Sequence, residues 1–215
     1  MFINRAITFI LLSLLFWATF FLLPPICLSL LGIAIITLII TTEWPHFFNP
    51  RSFPFWVVGI PYLIFPLILL IILNHTPDAR PLLLLGFITT ISFDTVAYLV
   101  GSHIGIHKIA PNISAGKTWE GLVGGIIGTV LILTGYVQLC VQNLSLFFTL
   151  FFALAVCATA FFGDLFESWL KRRAGIKDSG TLLPGHGGFL DRTDSLLFMI
   201  VVVWAMYYLK QSFHL

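Results

Sequence analysis

Residues 163–194, GDLFESWLKRRAGIKDSGTLLPGHGGFLDRTD, carry five basic and five acidic side chains, half the formal charge of a 215-residue chain with 11 Lys+Arg and 9 Asp+Glu. Apolar runs of about 15–20 residues flank this segment and recur toward the N-terminus. A charged side chain at the centre of a membrane-spanning helix costs roughly 2.5–3.5 kcal/mol unless it is paired, bound to metal or touching a polar ligand. A glycine-containing segment that gathers both signs beside apolar helices is therefore where chemistry is expected.

The chain is 59% hydrophobic and 9% charged, with 22 phenylalanines, whereas a soluble domain is about a quarter charged. These values predict an all-α, polytopic integral membrane bundle, because backbone groups in hydrocarbon must be satisfied within the spanning segment. The alternating ten-residue segments of an outer-membrane barrel are absent. Cys27, Cys140 and Cys157 lie in apolar runs without paired spacing and read as small core residues. The chain has no basic arm and no nucleic-acid-binding motif, so no nucleic-acid partner is expected. MFINRAITFILLSLLFW is followed by Leu23-Pro24-Pro25 without a small-x-small cleavage site, and reads as a retained first helix.

About seven spans are expected, at 6–23, 26–42, 55–73, 82–100, 121–141, 146–162 and 195–209. Tight turns are predicted at Pro24-Pro25 and Gln142–Ser145, and a kink at Pro61 and Pro66. Trp44, Phe47, Phe48, Phe53 and Trp56 read as an interfacial aromatic belt. With a cytoplasmic N-terminus, Arg5, Arg51, Lys108, Lys117, Lys171, Arg172, Arg173, Lys177 and Arg192 fall inside, and only Arg80 and Lys210 outside. That positive-inside bias predicts N-in, C-out. It also places the loops 101–120 and 163–194 on one side, with Asp94 roughly 9 Å of helix rise from that surface.

If the sixth span continues helically beyond 162, Asp164, Glu167 and Lys171 share one face at i, i+3 and i+7. Asp191 and Asp194 stand three apart at the start of the last span. Carboxylates from two helix ends suit a hard cation such as Mg²⁺, with substrate phosphates completing its shell. Lys171, Arg172 and Lys177 supply complementary positive charge for phosphate. The run GTLLPGHGG allows the backbone to approach a phosphate chain closely.

Ser168–Asp194, SWLKRRAGIKDSGTLLPGHGGFLDRTD, resembles the signature of the phosphatidate cytidylyltransferases (CDP-diacylglycerol synthases). The resemblance extends back through DTVAYLVGSHIG at Asp94–Gly105 and SAGKTWEG at Ser114–Gly121, and covers about Leu82 to the end. It implies transfer of CMP from CTP to phosphatidic acid, giving CDP-diacylglycerol and pyrophosphate, with Mg²⁺ required and K⁺ as a second cation. Asp164 and Asp191 are the implied metal ligands, and Asp164, Lys171, Arg172 and Asp191 the implied catalytic set. Substrate contacts are expected from Asp94, Ser114, Lys117, Glu120, Ser168, Lys177, Asp178, His186, Gly187, Arg192 and Asp194. Family members are often homodimers, and usually longer at the N-terminus. Where the family has S-P-x-K-T-x-E-G, this chain has Ala115 and Gly116 before Lys117. The chain thus divides into N-terminal helices over 1–81, a lipid-side scaffold, and a catalytic unit over 82–215. A bacterial inner membrane with the active site facing the cytoplasm is the expected location.

Other readings of the same residues are weaker. Pro111–Thr118 ends in G-K-T, but Pro111 stands where a phosphate loop needs its first glycine. Asp94 can serve the metal or substrate, or make a structural hydrogen bond within the bundle. His103 and His107, at i and i+4, lack a third zinc ligand and read as structural. Gly121, Gly124, Gly125 and Gly128 read as a close helix-packing stripe. The alternative function is a CTP-dependent polyprenol-type kinase, or a nucleotidyltransferase for another lipid phosphate. A transporter would need midplane charges and an internal repeat, and neither is visible.

Overall fold

The structure, a computed structural model, describes residues 2–141, 144–183, 185 and 187–213. His186 and part of the expected Gln142–Ser145 turn lie outside the described residues. Helix α1 (Phe2–Trp17) runs into a π-helical turn at Ala18–Leu22, and α2 (Pro25–Leu38) into a π turn at Ile39–Glu43 and a 3₁₀ turn at Trp44–His46. Then come α3 (Phe53–Gly59), a π turn at Ile60–Ile64 and α4 (Phe65–His75). Pro25 stands in the first turn of α2, where a missing N–H leaves no helical bond unmade, whereas Pro61 and Pro66 lie within the continuous helical run Phe53–His75, at the start of the π turn and of α4. The kink expected at Pro61 and Pro66 takes the form of that π turn.

The second half comprises α5 (Arg80–Ile104), β1 (Lys108–Ala110), β2 (Ser114–Thr118), α6 (Trp119–Cys140), α7 (Leu146–Arg173) and α8 (Leu190–Phe213). Among the described residues, six helical segments are long and apolar enough to cross a membrane, with a shorter apolar one at Ile10–Leu22. The polytopic helical bundle is as expected. The antiparallel β1–β2 hairpin between α5 and α6 is an addition, and the G-K-T of Gly116–Thr118 lies in strand β2, not in a phosphate loop. Helix ends also differ from expectation, most of all where α7 ends and α8 begins. The sixth span continues past 162 to Arg173, and the last begins at Leu190 instead of 195. Hydropathy stops at the first charges, whereas the helix continues because Glu167 and Lys171 pair at i, i+4 across its last turns.

Helix α5 packs on α6, α7 and α8, and α7 on α6 and α8; α2 reaches this group through α4, which lies on α8. Less than half of each spanning segment is buried, and its outer face is Leu, Ile, Val and Phe, a surface suited to lipid. Trp44 corrects the aromatic-belt expectation. It is fully buried among Phe47, Phe48, Phe55 and Tyr62, and its indole N–H donates to the Phe55 carbonyl at 3.0 Å. Phe53 and Trp56 are exposed.

The α6 glycines let α5 approach closely. A Cβ on Gly124 would lie 2.7 Å from Val100, one on Gly125 2.8 Å from Ala97, and one on Gly128 2.8 Å from Val96. Around Gly135 nothing lies within 4 Å. Gly125→Ala is therefore expected to destabilise the bundle by about 1–3 kcal/mol, read as a lower thermal midpoint in detergent. Gly135→Ala should leave the midpoint unchanged or raise it.

Candidate active site

Gly163 sets the approach of α7 to α8: a Cβ there would sit 2.9 Å from the Asp194 carbonyl oxygen and 3.1 Å from Ser195 Cα. This close crossing brings two acidic helix faces together. Asp164 and Glu167 of α7 and Asp194 of α8 each offer an oxygen within 4.8 Å of the others. Asp164 is held from both sides. Ser168 Oγ donates to its Oδ1 at 3.2 Å, and Lys117 Nζ pairs with its Oδ2 at 3.1 Å. Lys117 also donates to the Phe161 carbonyl at 3.0 Å and lies 4.6 Å from the Phe161 ring centroid. Asp194, 8% exposed, accepts from the Ser195 N–H at 2.8 Å.

Glu167 is fully buried, and its described partner is the Lys171 ammonium. Lys171 is shared: its Nζ also contacts Asp191 Oδ1 at 2.7 Å. The other Asp191 oxygen, Oδ2, accepts the N–H groups of Ser179 at 2.9 Å and Gly188 at 2.8 Å, with the Ser179 hydroxyl at 3.0 Å. Asp191, expected beside Asp164 as a metal ligand, thus has both oxygens engaged by protein donors. The carboxylates that converge are Asp164, Glu167 and Asp194. Three hard oxygen donors fit a cation such as Mg²⁺. Glu167 Oε2 pairs with Lys171, while its Oε1 accepts no hydrogen bond from the described residues and is left for such a cation.

Asp164 and Asp194 border a cavity of about 800 Å³, and Glu167 lies buried behind its lining. Of the expected substrate residues, Asp94, Ser114, Lys117, Asp178, Arg192 and Asp194 line it, as do Asp164, Lys171 and Asp191. Asp94 of α5 is accessible and makes no hydrogen bond or ion pair to another described residue, so the alternative of a structural hydrogen bond within the bundle is not met among them. Lys108 and Tyr98 also line the cavity, and neither was singled out as a site residue from the sequence.

Other expected residues have structural partners. Arg172 does not line the cavity; its Nε donates to the Ile113 carbonyl at 3.1 Å and its Nη1 to Ile176 at 3.4 Å, fastening the hairpin to the end of α7. Glu120 accepts from the N–H groups of Ile106 and His107 at 3.2 Å and from His107 Nδ1 at 2.6 Å, closing the loop behind the hairpin. His103 binds its own helix through the Leu99 carbonyl at 2.8 Å, so the two histidines do not converge. Ser168 serves Asp164 from outside the cavity lining, and Lys177 is exposed away from it. Gly187 adopts φ +81°, a conformation that favours glycine, and a Cβ there would run into Asp191 Oδ2 at 2.5 Å.

Glu43 was missed. It is 0% exposed, at the end of the π turn after α2, and accepts from Ser179 Oγ, Phe189 N–H and Leu190 N–H at 2.8, 2.7 and 2.8 Å. His46 Nδ1 donates to the Ser179 carbonyl at 2.8 Å. The available signal was that Glu43 is the only acidic residue before Asp78.

Comparison with known proteins adds an independent finding. A family described as "Cytidylyltransferase family" matches residues 1–210. A Rickettsia bellii protein named phosphatidate cytidylyltransferase is 36% identical over 162 residues, covering 73% of this chain and 70% of the relative. A Thermotoga maritima protein of that name is 44% identical over 130 residues, covering 58% of this chain and 48% of the relative. One from Haemophilus influenzae is 41% identical over 121 residues, 54% of this chain and 41% of the relative.

Removing the shared ammonium should expose the dependence of this end of the bundle on it. Lys171→Met leaves Glu167 and Asp191 without their cation and is expected to cost about 3–5 kcal/mol, measured as a lowered thermal midpoint. Lys177→Met, at an exposed position, should leave the midpoint in place.

Proposed function

The chain belongs to the cytidylyltransferase family, and from that premise we propose that it transfers CMP from CTP to phosphatidic acid, releasing CDP-diacylglycerol and pyrophosphate. The observation that carries this reading is the cavity itself, where α7, α8 and the hairpin set lysines and clustered carboxylates beside apolar helices. A lipid phosphate and a soluble nucleotide must meet at such a boundary.

In the reaction, an oxygen of the phosphatidic acid phosphate forms a bond to the α-phosphorus of CTP. The bridging bond to the β-phosphate breaks, and its electron pair leaves with pyrophosphate. The attacking phosphate is already anionic, so no strong general base is required. The protein's work is to hold two anions together and offset charge on the leaving group. Lys117 and Lys171 reach the cavity wall from fixed positions, each held by carboxylates, so their ammonium groups are oriented before substrate enters. Lys108 and Arg192 add positive charge to the lining.

Acidic groups nevertheless outnumber basic ones there: Asp94, Asp164, Asp178, Asp191 and Asp194 against Lys108, Lys117, Lys171 and Arg192. A polyanionic nucleotide is therefore best accepted together with a cation. Asp164, Glu167 and Asp194 would hold Mg²⁺, which would supply charge neutralisation at the phosphates; their convergence supports this reading. Asp191 keeps Lys171 oriented beside them, and Arg172 keeps the hairpin in place. The positive-inside bias supports a cytoplasmic N-terminus and a cytoplasmic cavity mouth, in a bacterial inner membrane.

The test is pyrophosphate release by purified protein in detergent with CTP, Mg²⁺ and phosphatidic acid. Wild type should release pyrophosphate only with lipid present, EDTA should abolish release, and Asp164→Asn should lower kcat by about 10²–10³-fold. Release of CDP instead would identify a kinase, and no turnover by folded protein would sink the assignment.

A further inference from the structure

Glu43 is a carboxylate fully removed from solvent, lying outside the region that carries the family signature, with no cationic partner among the described residues. Its compensation comes from donors at the start of α8. The N–H groups of Phe189 and Leu190 both point at it, so it caps that helix from a distant part of the chain, where a negative charge meets the positive end of the helix dipole. The pocket around it is shaped for a side chain of this size: a Cβ on Gly180 would lie 3.0 Å from Glu43 Cγ, and one on Gly188 would strike its carboxylate.

The third donor links Glu43 to the active site. The Ser179 hydroxyl lies 2.8 Å from Glu43 Oε2 and 3.0 Å from Asp191 Oδ2, while the Ser179 N–H binds that same Asp191 oxygen at 2.9 Å. Asp191 in turn holds Lys171 at 2.7 Å. His46, three residues beyond Glu43, grips Ser179 from its carbonyl side. The turns after α2 thereby fix Ser179, whose hydroxyl lies between Glu43 and Asp191, and also the end of α8 that presents Asp191, Arg192 and Asp194 to the cavity.

We infer that Glu43 is a positioning residue of the active site, acting through Ser179 on Asp191 and Lys171 and through two backbone N–H groups on the first turn of α8. The inference rests on the activity proposed above. It assigns to the N-terminal helices a part in catalysis besides lipid-side support.

The experiment compares wild type with Glu43→Gln, Glu43→Ala, Ser179→Ala and the Glu43→Ala/Ser179→Ala double variant in the pyrophosphate assay, scaled to folded protein. Glu43→Ala should lower kcat about 100-fold while KM for CTP and for phosphatidic acid moves less than about threefold. Glu43→Gln keeps volume and one acceptor oxygen and should restore part of kcat. The double variant should be no slower than Glu43→Ala, because both changes cut one chain of contacts. Multiplying losses, or a Glu43→Gln enzyme with wild-type kcat, would overturn the inference while leaving the cytidylyltransferase reading intact. Hydrogen exchange at the amides of residues 179 and 188–190 reads the same contacts without turnover. Exchange about tenfold faster in Glu43→Gln, with α6 unchanged, is expected. Unchanged exchange there would equally overturn it, and this arm holds even if wild type releases no pyrophosphate.

Discussion

A carboxylate withdrawn from water beside hydrocarbon must find a cation or a set of donors, and this end of the bundle is built around that constraint. Its centre is the Lys171 ammonium, shared by Glu167 one turn back on α7 and Asp191 on the first turn of α8. The shared cation ties two helices that are separated in sequence by the loop 174–189. It accounts for two boundaries as well: α7 continues beyond its apolar part to bring Lys171 within reach, and α8 starts early enough to present Asp191.

From that pair the polar structure spreads outward in matched steps. Asp191 spends its second oxygen on Ser179 and Gly188, and Ser179 touches Glu43. On the other side Lys117, delivered by strand β2, neutralises Asp164, and Arg172 fastens the same hairpin to the end of α7. Helices α5 and α6 press together through the glycine stripe that leads up to this hairpin. The cavity is thus bounded by elements that each meet a charge requirement of another, which is the form of preorganisation that phosphoryl chemistry rewards.

The contacts also cross the expected division at residue 81. Glu43 and His46 hold the loop that carries the signature, and Tyr62 packs edge-on against Phe166 of α7 with its ring 5.1 Å away. Trp44, fully buried next to Glu43, anchors the turn that makes this possible. The first eighty residues lack a recognisable polar pattern because their contribution is one carboxylate, one imidazole and a few aromatic rings.

Some of this was determined by the sequence alone. Low charge and long apolar runs impose a helical membrane bundle, since no other open structure satisfies the backbone in lipid. The concentration of charge at 163–194 points to the candidate site, and its motifs identify the family. The helical spacing of Asp164, Glu167 and Lys171 was also legible, because i, i+3 and i+7 need only a continuous helix. What the tertiary structure decided was which charge meets which. Local spacing says nothing about partners brought from other helices, so the sequence could not show that Asp191 is engaged by Lys171, Ser179 and Gly188, or that Glu167, which shares Lys171, lies within 4.8 Å of Asp164 and Asp194. It likewise could not show that Arg172 and Glu120 brace loops or that Glu43 reaches α8. Those assignments follow from the crossing of α7 and α8 at Gly163 and from the turn after α2, and such long-range geometry is set by packing.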